Sequence, residues 1–300
     1  MRDALEGYEG GIKFGGYQVT NLRYADDTTL ICSSREQLVD LLERVKASSE
    51  KKGLLLNTKK TKIMVIDKDS DGRDFILDGE KIDEVQQFEY LGSMITTKSD
   101  STTDIKRRLA MARSTTQNMV NIWKSRGLSK GLKLRFLRAT VFAIAMYGSE
   151  SWAMTKSNRK RIDAFEMWCY MRLLRVSWQD KRTNNWVLEK IGSELVLQKS
   201  IRERKLRYFG HVIRKEGSLE KQIIQGAVEG RRGRGRPTTA WTDDIKAWNG
   251  GSLTVATNLA RDRIAWRTLI KTTAAPMEYG HYLTMIDRLI IVTGTQGFDF

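Results

Sequence analysis

The stretch Leu22-Arg23-Tyr24-Ala25-Asp26-Asp27-Thr28-Thr29-Leu30-Ile31 decides the fold of the N-terminal region. Two adjacent acids, Asp26 and Asp27, stand between two β-prone runs. Neighbouring side chains of a regular strand point to opposite faces of a sheet, so both carboxylates can reach one site only at a tight turn. The sequence therefore predicts a β-hairpin that carries Asp26 and Asp27 at its tip.

Two carboxylates at a hairpin tip are suited to binding a hard cation. Mg²⁺ prefers oxygen ligands, and two Mg²⁺ ions that hold the attacking and leaving oxygens catalyse nucleotidyl transfer. We therefore assign Asp26 and Asp27 as candidate metal ligands and catalytic residues. Acidic residues are also common in exposed turns that bind no metal, and the pair alone leaves both interpretations open.

The sequence around this hairpin, residues 1–98, is typical of short strands with one helix. The helix is predicted to begin after Ser34, because Gln37 follows in a capping-box position, and to end at Gly53. Further strands are predicted at 54–56, 63–66 and 88–95. The fold class of this region is α+β, with a mainly antiparallel sheet.

Helical periodicity replaces the strand pattern from residue 99 onward, because apolar residues recur every three or four positions. One helix is predicted to end at Gly127, and the others cover 129–149, 157–176, 183–191, 195–214, 240–248 and 254–272. The tryptophans predicted to anchor the core are Trp168, Trp178, Trp241 and Trp266. The predicted regions are 1–98, 99–180, 181–274 and a tail, 275–300, which has no clear pattern.

The positive charge of the chain lies in its second part. Basic residues exceed acidic ones by 16 in the whole chain. Residues 1–100 hold 15 basic and 19 acidic residues, so residues 101–300 hold 37 and 17, an excess of 20. Such a region suits a polyanionic partner, and nucleic acid is the simplest one. Solvated helix faces produce the same composition, so charge alone leaves both readings open.

Composition excludes several other classes. The longest apolar stretch, 139–147, is far shorter than the ~20 residues of a membrane-spanning helix, so no membrane span is predicted. Cys32 and Cys169 are too few for a disulfide framework or a cysteine-rich zinc site, which favours a reduced, intracellular setting. No small-molecule cofactor is expected.

The segment Tyr24-Ala25-Asp26-Asp27, with its flanking strands, closely resembles the polymerase signature of reverse transcriptases, especially those of LINE-type (non-LTR) retrotransposons. Two later blocks resemble the next motifs of that family in the same order. They are Gly53-Leu54-Leu55-Leu56-Asn57-Thr58-Lys59-Lys60-Thr61-Lys62, similar to a palm motif, and Phe88-Glu89-Tyr90-Leu91-Gly92, similar to the primer-grip strand. The resemblance covers about residues 8–273. It implies a partial palm in 1–98, a thumb-like helical region in 99–180 and a basic C-terminal helical region in 181–274.

The resemblance also implies a role for each matching residue. Asp26 would be the principal Mg²⁺ ligand and Asp27 its supporting carboxylate, with Tyr24 beside the primer end. Lys60 would contact the incoming nucleotide or the leaving pyrophosphate. The residues that would hold the primer strand are Phe88, Tyr90, Leu91 and Gly92. The implied partners are an RNA template, a DNA primer or duplex, and a dNTP.

Two basic segments are further candidate contacts for nucleic acid. The first helix after residue 98 is where a thumb would follow the duplex backbone, and it carries Lys106, Arg107, Arg108 and Arg113. A Gly- and Arg-rich loop carries Arg231, Arg232, Arg234 and Arg236. Because Arg234-Gly235-Arg236-Pro237 matches the core of an AT-hook, minor-groove binding and plain phosphate contact both stay open for this loop.

The segment 195–214 is open to two interpretations. Its basic residues lie beside aromatic ones and could combine phosphate contact with base stacking. The same pattern also fits an amphipathic helix with its aromatic residues inward. The residues concerned are Arg202, Arg204, Lys205, Arg207, Tyr208 and Phe209.

One departure from the family concerns the catalytic centre. The family requires a third aspartate on an upstream palm strand, whereas Asp3, in a polar stretch, is the sole aspartate before Asp26. We therefore expect the chain to be a C-terminal fragment of an RNA-directed DNA polymerase that does not polymerise alone. The alternative is a non-catalytic RNA- or DNA-binding remnant of a retrotransposon protein. A nuclear location and a cytoplasmic ribonucleoprotein both stay open.

Overall fold

The computed structural model describes residues 5–14, 16–25, 27–66, 74–77, 79–98, 100–226 and 239–273. These residues fall into two compact units. The first unit draws on Met1–Phe88 and Lys215–Gly235, and the second draws on Glu89–Arg214 and Arg236–Phe300. The first unit contains most of the strands together with two helices, and the second unit is mainly helical, which confirms the predicted α+β class.

The strands of the first unit form antiparallel hairpins. β1 (Ile12–Phe14) pairs with β2 (Tyr17–Val19), and β3 (Asn21–Tyr24) pairs with β4 (Asp27–Leu30). β5 (Phe75–Leu77) pairs with β6 (Glu80–Ile82). The predicted antiparallel pairing is therefore present, but among the described residues each ladder contains only two strands.

The long helix of the first unit begins where its sequence predicts. α1 (Arg35–Glu50) has Ser34 as its N-cap, and the Ser34 hydroxyl accepts a hydrogen bond from the Gln37 backbone N–H at 3.3 Å. Leu42 of α1 packs with four buried apolar side chains of the strands and loops: Ile63, Phe75, Leu77 and Ile82. This small cluster is the main core of the unit.

Two predicted strands, 54–56 and 63–66, are not strands in the structure. Leu55 is 85% exposed, and Ile63 makes only an isolated parallel bridge to Glu84. The chain reverses at Gly53, whose φ is +74°, and turns again at 57–60. A strand needs a partner for its backbone hydrogen bonds, and no described strand lies beside the run of leucines.

The predicted single strand at 88–95 is wrong, because it is two strands joined by a tight turn. β7 (Gln87–Tyr90) pairs with β8 (Ser93–Thr96), and only Leu91 and Gly92 connect them. Both connecting residues have positive φ, +48° and +78°, which is the pattern of a type I′ hairpin turn. The boundary between the two units falls within β7.

Helices make up most of the remaining described residues. They are α2 (Thr102–Asn118), α3 (Val120–Lys124), α4 (Lys130–Phe136), α5 (Phe142–Ala145), α6 (Lys156–Leu174), α7 (Asn184–Ile191), α8 (Leu197–Arg214), α9 (Leu219–Ile224), α10 (Trp241–Asn249), α11 (Leu253–Arg261) and α12 (Arg263–Thr273). α9 belongs to the first unit and the other ten to the second. None of these helices is both long and apolar enough to cross a lipid bilayer.

Three predicted helices are interrupted. The first breaks at Met119, between α2 and α3. The helix predicted at 129–149 contains a turn of π-helix, Leu137–Val141, between α4 and α5. The helix predicted at 254–272 breaks at Asp262, because its carboxylate accepts hydrogen bonds from the amides of Ile264 and Ala265 and starts a new helix.

The core of the second unit is larger and rich in aromatic residues. Trp152, Phe165 and Tyr170 are fully buried in it, with α6 contributing two of the three. Of the predicted tryptophan anchors, Trp266 is buried, whereas Trp168 and Trp241 are only half-buried. The side chain of Trp178 lies outside the described set.

Candidate active site

The predicted acidic hairpin is formed by β3 and β4. Tyr24 is paired directly with Asp27, so a two-residue connection joins the strands. Ala25, the first connecting residue, has a φ of +52°, a left-handed conformation that a tight hairpin turn requires. Asp26 lies outside the described residues. The hairpin tip is therefore described from Tyr24, Ala25 and Asp27.

The acid-bearing face of this hairpin is open to solvent. Directly opposed residues share one face of a two-stranded ladder, which places Tyr24 and Asp27 together with Leu22. Tyr24 is 64% exposed, and Asp27 and Leu22 are exposed as well. Leu30, on the opposite face, packs against the core beside α1. The core thus supports the hairpin from one side only.

The carboxylate of Asp27 is the kind of oxygen ligand that Mg²⁺ prefers. A carboxylate at an exposed turn can bind a largely hydrated ion through one oxygen, as Mg²⁺ prefers. Within the part of the chain that the structure describes, no three acidic, histidine or cysteine side chains form a group able to hold a metal ion. Asp27 is the one proposed ligand that the structure locates.

Lys60 ends a turn in the first unit. Its backbone N–H donates to the Asn57 carbonyl oxygen at 3.1 Å and to the Asn57 Oδ1 at 3.0 Å. The residue is exposed. The turn therefore fixes the Lys60 backbone while leaving its side chain in solvent.

The Leu91–Gly92 turn is clamped by side chains of the second unit. The Tyr147 hydroxyl donates to the Leu91 carbonyl oxygen at 3.1 Å. The Gly92 carbonyl oxygen accepts from Arg107 Nη1 at 3.1 Å and also from Arg108 Nη2. The Arg108 guanidinium lies over the Tyr147 ring, 4.2 Å from its centroid. Three donors thus hold two adjacent carbonyl groups, and the turn is rigidly supported.

The four predicted cations of α2 divide into two pairs. Arg107 and Arg108 face the turn: Arg108 is buried, and Arg107 also forms an ion pair with Glu89. Lys106 and Arg113 are exposed. The four predicted loop arginines, Arg231, Arg232, Arg234 and Arg236, lie outside the described residues. The tail 275–300 also lies outside them.

A cleft of about 550 Å³ opens beside this turn, within the second unit. Its lining includes Leu91, Ser93, Tyr147, Glu150 and Arg204. Neither Tyr147 nor Glu150 was predicted from the sequence to lie at a site. The available signal was Tyr147-Gly148 at the end of the apolar run, where Gly148 adopts a φ of +68° and turns the chain.

The alternative reading of 195–214 as an amphipathic helix holds for part of α8. Phe209 and Lys205 are buried, and Lys205 Nζ donates to the Trp152 carbonyl oxygen at 2.7 Å and to Asp244 Oδ2 at 2.5 Å. Burial lowers the pKa of Lys205 to about 8. Arg159 binds the other oxygen of Asp244 at 2.8 Å. Lys205 is therefore an internal ion-pair partner and not a phosphate contact.

The buried Glu166 of α6 completes the start of α8. Its carboxylate accepts hydrogen bonds from the Tyr170 hydroxyl at 2.6 Å and from the amides of Val196 and Leu197 at 2.6 and 2.8 Å. Burial raises the pKa of Glu166. Burial likewise raises the pKa of the nearby Cys169 thiol to about 12. Both groups are structural.

Comparison with known proteins gives the class of the molecule. Residues 1–95, which contain the acidic hairpin and the Leu91–Gly92 turn, match the family described as reverse transcriptase (RNA-dependent DNA polymerase). The chain is therefore reverse-transcriptase-like, and the predicted resemblance is confirmed at that level.

A second finding extends the relationship beyond residue 95. The chain is 24% identical over 282 residues to a transposon-derived protein from Caenorhabditis elegans, which covers 87% of this chain and 98% of that protein. No solved structure shows a significant match. The similarity to a protein described as transposon-derived thus extends into the helical unit.

Proposed function

We propose that this protein is an RNA-directed DNA polymerase of a LINE-type, non-LTR retrotransposon. The observation that carries the proposal is the exposed hairpin tip, where Asp27 is paired with Tyr24, inside the region that matches reverse transcriptases. The open face of the hairpin leaves room for a primer end and a nucleotide beside the acid.

The residues of the first unit divide the work of the polymerase site. Asp26 and Asp27 would hold Mg²⁺, which supplies positive charge to the reacting phosphate oxygens when bound. Tyr24, exposed on the face of Asp27, is placed to contact the primer end. The exposed Lys60 offers its ammonium group to the phosphates of the nucleotide or to the leaving pyrophosphate.

The residues of the second unit hold the nucleic acid. The Leu91–Gly92 turn offers a rigid edge to the primer backbone, because both of its carbonyl groups are already bound from within the protein. Phe88 and Tyr90 precede this turn on β7. Lys106 and Arg113, both exposed on α2, are available for duplex phosphates.

A second candidate is a nucleic-acid-binding protein without polymerase activity. The specific observation in its favour is the excess of 20 basic residues in 101–300, which supports binding without any metal site. A two-metal centre needs a further carboxylate opposite Asp26 and Asp27, and the described residues form no three-ligand group. The two candidates make opposite predictions for catalysis.

The deciding experiment is primer extension by this chain on an RNA template with a DNA primer, dNTPs and Mg²⁺. Extension that Asp26→Asn and Asp27→Asn each reduce to background would support the polymerase proposal and would contradict the expectation from the sequence that this chain does not polymerise alone. Glu43→Gln, at an exposed acid of α1, is the matched control and should retain full activity. Bound nucleic acid without extension, in the parent chain, would favour the second candidate and contradict the first.

A further inference from the structure

The exposed face of α6 carries a row of arginines around one tryptophan. Arg161, Trp168 and Arg172 are separated by seven and four positions, and Arg175 at the C-cap continues the row. Residues at these spacings lie on one side of a helix. The three arginines are exposed, while Trp168 is half-buried. We call these four residues, together with Arg113 of α2, the α6 stripe.

Trp168 holds two of these arginines in place. The guanidinium of Arg113 lies over the Trp168 ring, 4.8 Å from its centroid, and that of Arg172 lies 5.3 Å away. A guanidinium held by the face of an aromatic ring keeps its N–H edge available to other acceptors. The stripe therefore presents cations that are already oriented.

The two acidic side chains of α6 accept hydrogen bonds on another side of the helix. Asp163 accepts a hydrogen bond from Gln198 at 2.5 Å, and Glu166 binds the first amides of α8. Arg161 donates to a neutral group, Oδ1 of Asn158, at 3.0 Å. Among the residues that the structure describes, no carboxylate forms an ion pair with an arginine of the stripe. Its positive charge is not neutralised locally.

We infer that the α6 stripe is a binding surface for single-stranded nucleic acid. The arginines would contact phosphates, and an unpaired base would stack on the guanidinium planes that Trp168 supports. The row from Arg161 to Arg175 is about 21 Å long at the rise of an α-helix. Stacking requires an unpaired base, which distinguishes this surface from a duplex contact. The inference goes beyond the polymerase site and shares with it a nucleic-acid partner and one residue, Arg113.

The first test removes charge and compares two helices. Binding of a fluorescein-labelled oligouridine is measured by anisotropy over a range of salt concentrations. The variant Arg113→Gln/Arg161→Gln/Arg172→Gln should bind at least about tenfold more weakly and reduce the salt slope by about 2. The control, Arg263→Gln/Arg267→Gln/Lys271→Gln, removes the same charge from exposed positions of α12 and should have a much smaller effect. Equal losses would overturn the inference in favour of diffuse attraction.

The second test isolates stacking. Trp168→Leu keeps an apolar side chain against the core, and its circular dichroism and melting temperature establish that it folds. It should weaken single-strand binding about fivefold or more and leave binding of a duplex of the same sequence unchanged. Photocrosslinking of a 5-iodouracil oligonucleotide to the parent chain should label the tryptic peptide Ile162–Arg172. Three results would overturn the inference: tighter binding of the duplex than of the single strand, displacement of oligouridine by polyglutamate of the same total charge, or absence of crosslinked label in that peptide.

These tests separate the stripe from the polymerase proposal. Asp26→Asn leaves the stripe intact and should bind oligouridine like the parent. Loss of primer extension with unchanged oligouridine binding concerns the polymerase site alone. Unchanged oligouridine binding in the stripe variants overturns the stripe and leaves the extension result standing.

Discussion

The two units differ in where their key carboxylates lie: buried in the second unit and exposed in the first. In the second unit, buried carboxylates join distant segments: Asp104 accepts from the Trp152 indole at 2.7 Å and from the Met94 amide at 2.9 Å, and Asp244 binds Lys205 and Arg159. In the first unit, the candidate catalytic Asp27 is exposed on a hairpin with one supported face. The difference teaches that the acids with buried structural partners are not the candidate catalytic acid, which is exposed and forms no part of a core.

The largest expected effect in this comparison comes from Asp244→Ala. The change leaves the ammonium of Lys205 buried without its carboxylate, and it also removes the partner of Arg159. We expect the second unit to lose about 3–5 kcal/mol of unfolding free energy, measured by urea denaturation followed by circular dichroism. Asp243→Ala, next in sequence and half-exposed, is the control and should cost about 1 kcal/mol. Equal costs would contradict a buried ion pair.

The core of the first unit is tested by Ile82→Ala. Ile82 is 1% exposed in the small cluster that contains Leu42, so truncation should cost at least about 2 kcal/mol. Hydrogen exchange should accelerate in α1, β5 and β6, while α6 and α8 keep their protection. Ile76→Ala, on β5 at an exposed position, should change neither region. Accelerated exchange in α6 would show that the two cores are not independent.

A pH dependence follows from Lys205 in the second unit. Its pKa is lowered by burial from 10.5 to about 8. Between these two values the unfolded chain carries the proton and the folded chain does not, so unfolding takes up a proton and stability rises with pH. Relative to Lys205→Met, the parent should gain about 1 kcal/mol per pH unit in this window. If the unfolding free energy of the parent, relative to that of Lys205→Met, fell as the pH rises, the lowered pKa of Lys205 would be contradicted.

The smallest expected effect belongs to the candidate catalytic residue. Asp27→Asn changes an exposed side chain at a hairpin tip, so the free energy of unfolding should change by no more than about 0.5 kcal/mol. Thermal denaturation of the variant and of the parent chain measures this change in unfolding free energy. A large loss would mean that Asp27 supports the fold, and any loss of primer extension could then no longer be assigned to the metal site.

Local signals were sufficient for part of this fold. The cap of α1 follows from Ser34 and Gln37, which lie three residues apart, and the acidic hairpin follows from the runs on either side of Asp26 and Asp27. The Leu91–Gly92 turn was missed because leucine rarely adopts the positive φ that it has there. A single glycine within an apolar run did not distinguish a turn from a strand.

Long-range contacts explain what the sequence could not predict at the site. From the sequence, phosphate contact stayed open for Lys205 because its partner Asp244 is 39 positions away. The clamp on the turn could not be inferred either, since Tyr147 meets Leu91 from 56 positions away. Arg108 and Arg113 lie on one helix with similar neighbours, and only packing shows that the first is buried and the second exposed.

The carboxylate of Glu166 has a consequence for the order of folding. The first two amides at the start of α8 find their acceptors on α6 and not within their own helix. Before α8 packs against α6, water is the acceptor for these amides, so their protection from exchange begins with docking. The amides of Val196 and Leu197 consequently act as reporters of tertiary assembly, whereas amides in the middle of α8 report only that the helix exists.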